Sequence, residues 1–124
     1  MIVGLGIDIT ELNRIESSLE KFGERFLQTF LTDEEIKFVP EKKSVPHLAA
    51  RFAAKEAAVK ALGTGFSLGI TFKSVEIFNL ESGAPLLKFN GKGLVKADEM
   101  GVKNILISIT HGRDTAAAVV ILEK

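Results

Sequence analysis

Residues 45 to 62 restrict the fold of this chain more than any other stretch. They are rich in alanine, tolerate Pro46 within a first helical turn, and run to Gly63, a natural stop, so they read as one long helix. Leu48, Phe52, Val59 and Leu62 recur at helical spacing and form an apolar stripe that needs a covering layer. Four charges, Arg51, Lys55, Glu56 and Lys60, interrupt this small, apolar segment. Glu56 and Lys60 stand four residues apart, in the order that favours an ion pair, on the side that carries Ala49 and Ala53. The plain reading is a solvated surface pair; the other is a site where small alanines let a large ligand approach the backbone. Lys55 falls inside the apolar stripe. It must snorkel or find a buried acidic or phosphate partner, because an unpaired buried ammonium is expensive.

The rest of the chain supplies strands and shorter helices. Residues 2 to 10 predict a strand ending near Asp8, with Gly4 and Gly6 marking places where something approaches the backbone. Leu12, Ile15 and Leu19 predict a helix from Glu11 to about Phe22, and the pattern resumes after Gly23 through Phe26, Leu27 and Phe30. Thr32-Asp33-Glu34-Glu35 has the form of a capping box and predicts a short helix ending before Pro40, followed by a loop over 41–44. Beyond the long helix come a strand over 72–80, a turn at Glu81-Ser82-Gly83-Ala84-Pro85, a returning strand over 86–90 and a short helix over 93–100. Strands over 105–110 and 116–122 follow, joined across His111-Gly112-Arg113-Asp114. The last strand is apolar on both faces, which implies a covering helix on one side or a subunit interface.

With 124 residues the chain reads as one domain, 1–124, without a linker or second module. The absence of cysteine removes disulfides, zinc–thiolate sites and thiol nucleophiles, and agrees with a reducing, cytoplasmic setting. The N-terminal residues lack a basic region and carry Asp8, which argues against a signal peptide, and no apolar run approaches the roughly 20 residues that span a bilayer. Sixteen basic and sixteen acidic residues give zero formal charge, so no global field collects nucleic acid or an anionic membrane. Tyr and Trp are absent, which leaves no obvious base-stacking platform.

Several residues allow chemistry. Asp8, on an apolar strand, needs a partner: a salt bridge, the start of the next helix, or a metal ion. Glu56 reads either as a surface helix charge or as a ligand; with Asp8 it would suit magnesium, which commonly takes only one or two protein carboxylates. His111 reads as a hydrogen-bonded turn residue or as a contact to an anion. Ser108 and Thr110 share its strand, but no nucleophile elbow surrounds either hydroxyl, and Gly63-Thr64-Gly65 lacks Walker spacing.

Three separated pieces, taken in order, resemble the holo-acyl-carrier-protein synthase family. They are Gly4-Leu5-Gly6-Ile7-Asp8-Ile9, then Arg51-Phe52-Ala53-Ala54-Lys55-Glu56-Ala57 with Lys60 following, then Ser108-Ile109-Thr110-His111. The resemblance spans the whole chain and includes Gly63-Thr64-Gly65 after the helix. It implies an α+β, 4′-phosphopantetheinyl transferase-like fold, with an antiparallel sheet and a long packed helix in one small domain. It also implies an activity: 4′-phosphopantetheine moves from coenzyme A to a serine of an apo acyl carrier protein, releasing adenosine 3′,5′-bisphosphate, in fatty acid biosynthesis.

The roles carried by that resemblance are specific. Asp8 and Glu56 would bind Mg²⁺, with Glu56 and Lys60 catalytic and Lys60 contacting the diphosphate. Arg51, Gly63, Gly65, Pro85, Thr110 and His111 would line the coenzyme A site. A homotrimer with sites between subunits is implied, as is docking of the acidic carrier by Arg14, Lys21 and Arg25 on the first helix. Against that docking, Glu11, Glu16, Glu20 and Glu24 are interleaved and give the helix an ordinary mixed-charge face. The serine proton would go to Glu56 or to a metal-held water, a choice the residues leave open. Two departures stand out: Ala84 occupies a turn position where relatives often carry Lys or Arg, and Gly112 follows the histidine where many have a polar residue. The rival readings are a non-catalytic coenzyme A or carrier-binding module and a purely structural trimer.

Overall fold

The computed structural model describes residues Met1–Lys124. Strand β1 (Ile2–Glu11) leads into helices α1 (Leu12–Phe22), α2 (Glu24–Phe30), α3 (Asp33–Ile36) and α4 (Ser44–Ala61). The hairpin β2 (Val75–Asn79) and β3 (Pro85–Phe89), helix α5 (Gly91–Glu99) and strands β4 (Asn104–His111) and β5 (Thr115–Glu123) complete the chain. β1, β5 and β4 form an antiparallel sheet in that order, and β2–β3 is a separate antiparallel ribbon. The fold is α+β, as the sequence implies.

Helix α4 organises everything around it. One core gathers Ala54, Ala57, Ala58 and Leu62 with Val75 and Ile77 of β2 and Ala118, Val120 and Leu122 of β5. The other gathers Leu48, Ala49 and Phe52 with Ile15, Phe30 and Leu31. Two alanines of the helix, Ala57 and Ala61, meet β1. A Cβ on Gly6 would stand 1.9 Å from the carbonyl oxygen of Ala57, and one on Gly4 would stand 2.2 Å from that of Ala61. It is β1 that approaches the helix backbone, and glycine on one side and alanine on the other make that approach possible.

Two boundaries differ from expectation for local reasons. The segment after Thr32 makes only the four residues of α3, although its capping box is complete: Glu35 N meets Thr32 Oγ1 at 3.3 Å, and Thr32 N meets a Glu35 carboxylate oxygen at 2.9 Å. The strand expected from residue 72 begins at Val75, because Phe72–Ser74 is a 3₁₀ turn in which Thr71 N donates to Ser74 Oγ at 3.1 Å.

The two-sided apolarity of β5 divides cleanly. Ala116, Ala118, Val120 and Leu122 are buried on the face turned to α4. The opposite face is uncovered: Leu5, Ile7 and Ile9 of β1 are 64%, 63% and 65% exposed.

Candidate active site

The N-terminal strand and α4 bring the first group of site residues together. Lys60 Nζ donates to Asp8 Oδ1 at 2.7 Å and to the Ile7 carbonyl at 3.1 Å. Asp8 does not cap the following helix; Glu11 precedes α1 without a side-chain cap. Nor do Glu56 and Lys60 form the expected surface pair, since Lys60 has turned to Asp8. The lysine's pKa is raised, first by that hydrogen bond and the charge of Asp8. Glu56 is the only residue from Arg51 to Val59 that is not fully buried. Burial first, and the negative charge of Asp8 second, push its carboxyl pKa up, against the pull of Arg14 and Lys60. Two carboxyl groups thus face one another and raise the proton affinity of one of them. This is an arrangement that a hard cation relieves, and the donor set, oxygen only and partly open, fits Mg²⁺.

The second group lies where α4 begins. Arg51 is buried, its guanidinium donates to Asn79 Oδ1, and burial lowers its pKa. Pro85 and His111 face it across an open cleft of about 470 Å³, with Lys43 and His47 at the rim. No carboxylate lines this cleft, so its charged side chains are all basic. Arg51 and Lys60 lie nine positions apart on one helix, about 13 Å at the helical rise, so the cleft and the carboxylate pair can be bridged by one extended ligand.

Other expected residues stand apart from these groups. Thr110 lies on the outer face of the sheet with Ile7 and Ser108, turned away from the cleft that holds its neighbour His111. Side chains alternate along a strand, so the two cannot serve one face. Gly63 and Gly65 have left-handed backbones with φ of 78° and 60°, and their amides close the end of α4 by donating to Lys60 O at 2.9 Å and Val59 O at 3.2 Å. They leave open space beside Lys60 rather than free amides. Arg14 lies 5.1 Å over the Phe52 ring and also acts on Glu56. Lys21 covers the exposed Phe22, and Arg25 borders a shallow groove with Phe22 and Phe26.

The partner of Lys55 is Glu35. Lys55 Nζ, wholly buried, donates to Glu35 at 2.6 Å, to the Phe30 carbonyl at 2.7 Å and to the Phe72 carbonyl at 3.0 Å. The second oxygen of Glu35 accepts from Ile77 N at 3.1 Å. The capping box was the available signal, since it fixes the glutamate's position, but its link to a lysine 20 residues on exists only in three dimensions. Lys43, His47 and Asn79 also line the cleft, and the sequence reading missed them. His47 had a signal, a four-residue spacing with Arg51 on the same helix.

Comparison with known proteins places this arrangement in a class. Residues 4–120 match the model of the 4′-phosphopantetheinyl transferase superfamily. A holo-acyl-carrier-protein synthase of Maridesulfovibrio salexigens is 67% identical over the full length of both chains. The crystal structure of the synthase from Neisseria meningitidis is 40% identical, covers both chains completely and superposes with a TM-score of 0.90. That of Helicobacter pylori, in complex with coenzyme A, is 33% identical with a TM-score of 0.85 and covers 96% of this chain and 99% of that one. Within the superfamily, the chain belongs to the holo-acyl-carrier-protein synthase family.

Proposed function

We propose that this protein transfers 4′-phosphopantetheine from coenzyme A to a serine of an apo acyl carrier protein, yielding holo carrier protein and adenosine 3′,5′-bisphosphate. The observation that carries the reading is the meeting of Asp8, Glu56 and Lys60 at one end of α4, with a carboxylate-free basic cleft at the other. A non-catalytic binding module would have no use for the carboxylate pair.

In this reading the cleft takes the nucleotide, with Arg51 and His111 against phosphate and Pro85 against the apolar part of the ligand. The diphosphate runs along α4 toward Lys60, which offsets charge on its oxygens. Asp8 and Glu56 would hold Mg²⁺, which when bound would supply Lewis-acid neutralisation of phosphoryl charge. The carrier's serine oxygen attacks the β-phosphorus as the bond to the bridging oxygen breaks, and the nucleotide leaves with that bond's electron pair. Glu56 receives the serine proton directly or through a water. Gly63 and Gly65 keep the exit beside Lys60 clear for the pantetheine arm.

The acidic carrier docks on α1 and α2, where Arg14 points to the reacting end, Lys21 lies over Phe22 and Arg25 borders the Phe22–Phe26 groove. One domain, 1–124, carries the activity. Further copies of the chain, as a homotrimer, cover the apolar outer face of the sheet, and Thr110 reaches a coenzyme A site only across that interface. We place the enzyme in the cytoplasm, in fatty acid biosynthesis. Incubation with coenzyme A, Mg²⁺ and apo carrier protein, followed by mass spectrometry of the carrier, tests the assignment: addition of one phosphopantetheine is expected, and an unmodified carrier across several carriers would overturn it.

A further inference from the structure

His47 and Arg51, four residues apart, share one strip of α4, and Lys43, the left-handed residue immediately before the helix, lines the same cleft. The strip faces Pro85 of the hairpin and His111 of β4 across the open cleft. His47 and Arg51 also line a second, narrower cavity of about 210 Å³ on the side of Glu35 and Phe78, so His47 stands in the wall between the two spaces. We propose that His47 is a direct contact to the phosphate monoester of the bound nucleotide and takes up a proton as that phosphate arrives, an inference that rests on the coenzyme A reading above.

The charged groups facing His47 are Arg51 from its own helix, Lys43 from the residue just before that helix, His111 from β4 across the cleft, and Glu35 of α3 from the narrower cavity. Glu35 is already committed to Lys55, Thr32 N and Ile77 N. The open side therefore presents positive or neutral groups only. Burial first, and the charge of Arg51 second, hold the imidazole down to about 4, well below an ordinary histidine. It is thus neutral at pH 7, the state least favourable for holding an anion and most responsive to one. A phosphate monoester is close to doubly charged at that pH and, at contact distance, raises the proton affinity of a neighbouring imidazole. Protonation would turn the ring into a charge-assisted donor beside Arg51, with both groups addressing one phosphate. Dephospho-coenzyme A shares the adenosine and diphosphate and lacks only this group, so the effect belongs to the monoester alone.

The chain has only two histidines, so imidazole ¹H–¹⁵N spectra resolve His47 from His111 directly. In the free protein His47 should stay neutral until pH falls toward 4. With adenosine 3′,5′-bisphosphate bound it should be protonated near pH 6.5. Calorimetry in buffers of different ionisation enthalpy, with Mg²⁺ present, should show proton uptake on binding coenzyme A and none on binding dephospho-coenzyme A. His47→Gln, checked for fold by circular dichroism, should bind coenzyme A about tenfold more weakly, lose the uptake, and bind dephospho-coenzyme A like the wild type. A His47 ring that stays neutral in the bound wild type, or a variant that keeps affinity and uptake, overturns the proposal while leaving the transferase reading intact. A wild type that binds neither coenzyme removes both.

Discussion

At the scale of the residue, Glu56 is shaped by where α4 leaves a gap. Its neighbours from Arg51 to Val59 are buried, and only its carboxyl looks out, toward Asp8. The sequence identified both acids, but gave no reason from spacing that residues 48 positions apart should meet. The raised pKa of Glu56 has two consequences. Protons compete with a cation for the site, so Mg²⁺ affinity measured by calorimetry from pH 8 to pH 5 should weaken as pH falls through that raised value; an affinity independent of pH would contradict the ligand assignment. The second concerns stability. The folded carboxyl binds its proton more tightly than the unfolded chain does, so ionising it subtracts stability as pH rises through the folded pKa. Glu56→Gln should therefore melt no lower than the wild type at pH 7, while losing transfer activity by about 10²–10⁴-fold. Near-wild-type activity in that variant would remove Glu56 from both roles.

Among the elements, the ion pair of Lys55 and Glu35 ties α4 to α3 and, through its remaining hydrogen bonds, to the end of α2, the 3₁₀ turn and β2. Every donor of the ammonium is used and both carboxylate oxygens accept, which is what makes so deep a pair tolerable. Lys55→Met leaves Glu35 buried without its counter-charge and should cost about 3–5 kcal/mol in urea unfolding. Adding Glu35→Gln should return part of that loss, and a simple sum of the two effects would show that the groups are not coupled. The demand for such a partner was legible, since Lys55 sits in an apolar stripe. The partner was not, because α3 reaches α4 through the packing of Phe30, Leu31 and Leu48, which no local pattern encodes. Gly4 and Gly6 follow the same rule: their smallness is visible in the sequence, and the carbonyls of Ala57 and Ala61 that require it are visible only in the fold.

For the whole molecule, the outer face of the β1–β5–β4 sheet is the feature a lone chain cannot explain. Leu5, Ile7 and Ile9 stand in a row beside Val119 and Ile121, and Leu106 extends the patch on β4. Light scattering should find a trimer at micromolar concentration, and Ile7→Glu should dissociate it and lose transfer activity with the monomer still folded; a monomeric wild type would remove the interface. Thr110 should act only in the assembly, since the strand turns it to that face and His111 to the other. Helical and strand periodicities, the capping box and the alanine-rich stretch determined the elements, because each reports a local backbone preference or the need to bury one face. The ordered motifs determined the family. Which groups touch was decided only by tertiary structure: Lys60 chose Asp8 over its neighbour Glu56, Lys55 found Glu35, and Lys43 and His47 joined Arg51 in a basic cleft. Sequence spacing fixes direction within an element, whereas contact between elements is set by the packing of all of them at once.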